Sequence, residues 1–175
     1  MMMGKLNRIL LLVFVLVSCV GCDQATKLVA QQQLASAPVR EYGYGLVRLI
    51  YAENPGAFLS LGAALAPETR FWIFVVLVTL LLVGLAVFML RQAAHTPLPM
   101  IIAIALIVGG GLSNLLDRLL HNGHVIDFMQ VGVSWLHTGI FNVADMAIMA
   151  GVGLLFLLML RREESTLLES ETVGQ

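Results

Sequence analysis

At 175 residues with a formal net charge of −1, the chain lacks the length for two sizeable domains and the basic excess of a nucleic-acid-binding protein. It is 59% hydrophobic and 12% charged, with a mean hydropathy of +0.90, which excludes a disordered chain and an ordinary soluble core. What remains is one compact membrane domain.

The first apolar run, Leu6 to Cys22, is flanked by Lys5 and Arg8. A bilayer core takes about 20 helical residues, so this run is short unless its helix continues through Asp23 to about Gln31. The segment also has the outline of a secretory signal, and Val20-Gly21-Cys22 resembles a lipoprotein cleavage site. Three further spans argue against that reading, so an uncleaved helix is expected. Asp23 and Lys27 lie four residues apart on it and can pair. Cys19 and Cys22 share a helical face and read as small packing residues rather than a redox or metal pair.

From Gln32 to Arg70 no segment spans. Tyr42 to Ala52 alternates in part and favours short strand structure. Asn54-Pro55-Gly56 is a turn signal, and Ala57 to Leu65 is apolar enough to lie on the membrane or re-enter the protein. The second run, Phe71 to Leu90, carries no charge, and Arg91 lies in the short link after it. The third runs from Leu98 to Leu116. A second long link, Arg118 to Gly139, is rich in His, Gly and Asn and contains Trp135, an interfacial residue type. The fourth run, Ile140 to Leu160, is broken only by Asn142 and Asp145. Ser165 to Gln175 is polar and acidic and reads as disordered.

These runs predict an all-α membrane protein of four transmembrane helices, about 6–26, 71–90, 98–118 and 140–160, in a single domain over 1–163 with a polar tail over 164–175. Short loops rich in Lys and Arg mark the cytoplasmic side. Lys5, Arg8, Arg91, Arg161 and Arg162 place both termini there, whereas Arg70 and Arg118 fall on the other side. Both long links then lie outside, with Asp23, Lys27, Asn54, Asn114, Asp117, Arg118, Asp127, Asn142 and Asp145. Ionisable groups at a membrane are costly and mark function. At 1.5 Å per residue, Asp145 lies about 7 Å below the outer boundary.

Partners sort the carboxylates. Asp23 has Lys27, and Asp117 has Arg118 beside it as a brace. Asp145 has no basic residue within a turn. Asp127 has none adjacent, although His124 is close. Two aspartates without counter-charges can share a proton and serve as acid and base toward an amide. Each also has a plain reading: Asp145 as a helix cap, Asp117-Arg118 as an ion pair, Asn114 and Asn142 as interhelical hydrogen-bond glue. His121, His124 and His137 lack tight ligand spacing, and Ser113 and Ser134 lack a neighbouring base. Neither a metal nor a cofactor is expected.

Five blocks in order carry a resemblance: Asp23-Gln24-Ala25-Thr26-Lys27, Asn54-Pro55-Gly56-Ala57-Phe58, Gly110-Gly111-Leu112-Ser113-Asn114-Leu115-Leu116-Asp117-Arg118, Val125-Ile126-Asp127-Phe128 and Phe141-Asn142-Val143-Ala144-Asp145. With four spans, the chain resembles the signal peptidase II family, bacterial membrane aspartyl proteases. Ser113 departs mildly from the Gly often found there. The resemblance implies Asp127 and Asp145 as the catalytic pair. It implies Asp23, Lys27, Asn54, Gly56, Asn114, Asp117, Arg118 and Asn142 as substrate-binding or supporting residues, and an extracytoplasmic β-cradle from the Gln32 to Arg70 stretch. It further implies a bacterial inner-membrane enzyme, with its active site facing outward, that cleaves diacylglyceryl-modified prolipoproteins just before the lipidated cysteine. Its partners would be those prolipoproteins, membrane lipid and globomycin-type inhibitors.

A secondary transporter would also use intramembrane Asp and Asn, but near the midplane and on both sides. An assembly protein would use them only to hold helices together. A lipoprotein would carry lipid on Cys22.

Overall fold

The computed structural model describes residues 4–93 and 95–173. Four helices are long and apolar enough to cross a membrane. They are α1 (Lys5–Leu34), α2 (Pro67–Gln92), α3 (Leu98–Leu120) and α4 (Val143–Val173). The links add β1 (Arg40–Tyr42), β2 (Val47–Asn54), β3 (Val125–Val133) and β4 (Leu136–His137). They form one antiparallel sheet in the order β1-β2-β3-β4.

Helix α1 runs well past Cys22. Its 30 residues make about 45 Å at 1.5 Å per residue, roughly 15 Å more than a hydrocarbon core. The overhang is used: Ala30 and Leu34 bury against Phe128 of β3, with Leu49 and Tyr51 of β2 packed alongside. The sheet is thereby fixed to the bundle. At the other end Arg8 donates to the carbonyls of Ala93 and Thr96 (2.9 and 2.7 Å), clamping α1 to the α2–α3 link.

Helix α3 is the central element. Leu12, Met89, Ile101, Ile104, Ala105 and Val108 form the main apolar core around it. Its triple glycine explains how three helices approach it at once, because successive residues point about 100° apart. A Cβ on Gly109 would strike Cys19 of α1, one on Gly110 the Ala144 carbonyl of α4, and one on Gly111 the Leu82 side chain of α2. Small residues let membrane helices pack backbone to backbone.

Three expectations are corrected. The cradle does not come from the Gln32 to Arg70 stretch alone, because β3 lies in the second link and pairs with β2 through Ala52↔Asp127, Glu53↔Ile126 and Asn54↔Val125. Val125 to Phe128 are all buried, so the strand shows no alternation for a periodicity reading to find. The second span starts earlier than Phe71, at Pro67, and includes a π-helical stretch over Trp72–Leu77. The tail does not leave the fold as irregular chain. Helix α4 continues to Val173, which suits a run rich in Glu and Leu, both good helix formers.

Candidate active site

Both long links and three helix ends meet at one end of the bundle. Lys27, 1% exposed, is the centre of one cluster. Its ammonium contacts Asp23 at 2.6 Å and Asp117 at 2.8 Å and donates to Asn114 Oδ1 at 2.9 Å. That uses all three ammonium donors. The carboxylates are equally occupied. Asp23 accepts from Ser113 Oγ (2.7 Å) and from the Ala144 N–H at the start of α4 (2.8 Å). Asp117 accepts from Gln24 Nε2 (2.7 Å) and from the Ile126 N–H of β3 (3.0 Å). One buried cation thus ties α1, α3, α4 and β3 together.

The expected Asp117–Arg118 pair is not formed. Adjacent helical residues point about 100° apart, so Asp117 faces Lys27 while Arg118 turns toward α2. Its guanidinium donates to the carbonyls of Gly56 (2.7 Å) and Asn114 (3.2 Å) and lies 5.5 Å from the Phe74 ring centroid. Gly56 is constrained as well, since a Cβ there would meet the Ser60–Leu61 backbone.

Asp127 and Asp145 form a second cluster of different chemistry. Asp127, on β3, accepts from Asn54 Nδ2 (2.8 Å) and Asn142 Nδ2 (2.7 Å), one on each oxygen. Asp145 accepts from Asn114 Nδ2 (2.9 Å) and from the Asn142 backbone N–H (3.2 Å). Asn142 Oδ1 in turn accepts from the Asp145 N–H (2.9 Å). This reciprocal pair is a capping box in which Asn and Asp replace the usual residues. Asp145 is therefore a helix cap and a site residue together. Asn142 touches both carboxylates and links them. His124 does not join the site, because its ring faces the carbonyls of His121 and Asn122.

Every donor to Asp127 and Asp145 is a neutral amide. Burial pushes the Asp127 carboxyl up to about 6; the Asn54 hydrogen bond opposes this, the charge of Asp145 adds to it, and Asn142 and Lys27 oppose it. Asp145 is 7% exposed and Asp127 1%. Asp145 opens onto two mainly apolar cavities. One of about 290 Å³ runs past Phe58, Phe74, Arg118 and Met149. The other, about 370 Å³, runs past Phe58, Phe141 and Met146. The arrangement offers two carboxyl groups held by one residue, Asn142, through its side chain and its backbone N–H, beside apolar space, with the Lys27 ion cluster behind.

All ten residues singled out from the sequence thus lie at this one end. Gln24 and the Ile126 and Ala144 N–H groups also take part and were not anticipated. Gln24 could have been found as the neighbour of Asp23 in its block. The N–H groups carry no side-chain signal at all.

The chain is similar to known proteins over most of its length. A family model described as signal peptidase (SPase) II matches residues 15–161. A lipoprotein signal peptidase of Streptococcus pyogenes is 33% identical over 154 residues, 88% of this chain and 95% of that protein. One from Halalkalibacterium halodurans is 38% identical over 96 residues, 55% of this chain and 60% of that protein. Two solved structures, each described as a bacterial membrane enzyme, superpose with TM-scores of 0.75 and 0.69. They are 26% and 28% identical, covering 88% and 85% of this chain and 90% and 92% of theirs.

Proposed function

The chain belongs to the signal peptidase II family, and on that premise we propose that it is an aspartic endopeptidase with Asp127 and Asp145 as its catalytic pair. Its substrates are diacylglyceryl-modified prolipoproteins, cut just before the lipidated cysteine. One observation carries the mechanism. Of four buried aspartates, Asp23 and Asp117 are bound to the Lys27 ammonium, whereas Asp127 and Asp145 are held by amides alone.

Two neighbouring carboxyl groups in a dry site do not both ionise, so the pair shares one proton and titrates as a unit. The ionised member takes a proton from water as the water oxygen adds to the scissile carbonyl carbon. The protonated member gives its proton to the carbonyl oxygen. When the resulting diol collapses, the C–N bond breaks. The nitrogen leaves with the proton taken from water, and the hydroxyl returns a proton to its donor. The shared proton is restored, with no covalent intermediate. Asn142 keeps the two carboxyl groups in register, and Asn54 and Asn114 fix their outer oxygens. Lys27 acts through Asn114 and is a positioning residue.

The apolar cavities beside Asp145 suit a signal helix and acyl chains delivered from the bilayer. The basic residues at the opposite ends of the helices favour a cytoplasmic membrane enzyme with both termini inside and the site facing outward. Globomycin is expected to occupy the same cavities.

The test is cleavage of a diacylglyceryl prolipoprotein by purified protein in detergent. Asp127→Asn and Asp145→Asn are each expected to lower the rate at least about 10³-fold while the protein still melts cooperatively. Retained activity in either folded variant rejects the pair.

A further inference from the structure

A third cavity, about 290 Å³, lies away from the aspartates, between the first turns of α2 and the last turn of α3. Its walls are Pro67, Phe71, Val75 and Leu119, with Arg70 and Arg118 among its lining. Arg118 is only 9% exposed, and its buried Nε has no hydrogen-bond partner. Among the described residues, neither Arg70 nor Arg118 pairs with a carboxylate. Glu68, the nearest acidic residue in sequence, is exposed and outside the lining. Arg118 already donates to two carbonyls and lies in range of the Asp145, Asp127 and Asp117 charges, so the cavity joins Arg70, which has no carboxylate partner among the described residues, to a second guanidinium beside it. Guanidinium geometry favours phosphate, which it binds in bidentate fashion.

The depth of the cavity identifies the source of the phosphate. Phe71 and the adjoining Trp72 are 51% and 58% exposed and pack edge to face at 6.0 Å between centroids. Exposed aromatic residues at a span's end mark the headgroup level. Leu119 and Leu120, also exposed, would meet acyl chains just beside it. Basic pockets between transmembrane helices at this level take lipid headgroups.

We propose that the Arg70–Arg118 cavity binds the phosphate of a membrane glycerophospholipid in the leaflet on the sheet's side. This lipid is not the substrate, whose diacylglyceryl group carries no phosphate. Binding would also brace the site, because Arg118 holds the Gly56 and Asn114 carbonyls next to the amides that hold Asp127 and Asp145. The proposal does not depend on the peptidase reading, and its test reads binding rather than cleavage.

The protein is purified in maltoside, which has an uncharged headgroup, and probed by native mass spectrometry and thermal melting. The probes are dioleoyl phosphatidylglycerol, dioleoylglycerol and inorganic phosphate. Phosphatidylglycerol is expected to stay bound and raise the Tm, and the other two to do neither at the same concentration. Arg70→Gln should bind phosphatidylglycerol at least about five-fold more weakly, and Arg70→Lys, which keeps the charge but loses the planar fork, should fall between it and the wild type. Undiminished binding in Arg70→Gln overturns the site. Equal binding of dioleoylglycerol removes the phosphate from the recognition, and equal binding of inorganic phosphate removes the lipid. The comparison of the three probes on the wild-type protein decides the matter even if Arg70→Gln fails to fold.

Discussion

Two pairs of buried aspartates lie at the same end of one bundle, and their partners set them apart. Asp23 and Asp117 share the Lys27 ammonium and collect four further donors between them, from Ser113, Ala144, Gln24 and Ile126. Asp127 and Asp145 have only amides. A carboxylate bonded to a shared cation and to backbone N–H groups joins elements. One held by neutral donors in a dry site can still exchange a proton. The contrast teaches that burial alone does not make an acid–base group; burial without a counter-charge does.

The sharpest break in this comparison is the proposed catalytic one, where either Asp-to-Asn change in the amide-held pair is expected to remove cleavage and leave a folded protein. The converse applies to the other pair. Lys27→Met leaves Asp23 and Asp117 buried with no cation, and removing one partner of a buried pair costs about 3–5 kcal/mol. Loss of the folded protein, read by melting in detergent, is expected before any kinetic effect can be measured. A stable Lys27→Met protein that has lost only activity would move Lys27 into the chemistry.

A subtler test uses pH. The folded protein holds the Asp127 proton more strongly than the unfolded chain, with its value raised from 3.8 to about 6. Its contribution to stability is complete below the ordinary value and is lost as pH rises through about 6. Asn at this position cannot titrate. The stability of Asp127→Asn relative to wild type should therefore rise between pH 4 and pH 8, by about 2–3 kcal/mol at 1.36 kcal/mol per unit. A flat difference would mean that Asp127 is not strained by its burial.

The smallest effect belongs to a salt bridge outside both clusters. Arg48 and Glu41 pair at 2.9 Å across β1 and β2, with both side chains partly open to water. Arg48→Ala should shift stability by less than about 1 kcal/mol, and raised salt should reduce even that. A loss as large as that of Lys27→Met would mean that the sheet edge, rather than the Lys27 cluster, holds this end of the protein together.

Much of the architecture was legible because a bilayer imposes length and apolarity on every span. The runs at 71–90 and 98–118 fall within the observed helices, and the run at 140–160 begins three residues before its helix, which starts at Val143. The overhang of α1 beyond residue 26 was less legible, since its exposed polar residues resemble a loop. Strand β3 was hidden by the burial of its first four residues, and the partner of Asp117 by helical geometry, which turns Arg118 away from it. The uncharged second run gave no sign that Phe74 would meet Arg118.

By itself, then, the sequence determined four spans, the side of the bundle on which the polar groups collect, and the separation of Asp127 and Asp145 from basic neighbours. Those properties are local, set by hydropathy and by spacing along a helix. Only the tertiary structure decided that Lys27 serves two aspartates rather than one, that Asn142 touches both members of the other pair, and that Arg70 and Arg118 line one cavity. These are contacts set by packing rather than by spacing along one helix, and in the same clusters partners lie as many as 121 positions apart, for Asp23 and Ala144. They are fixed by how helices and sheet pack, which no local pattern encodes.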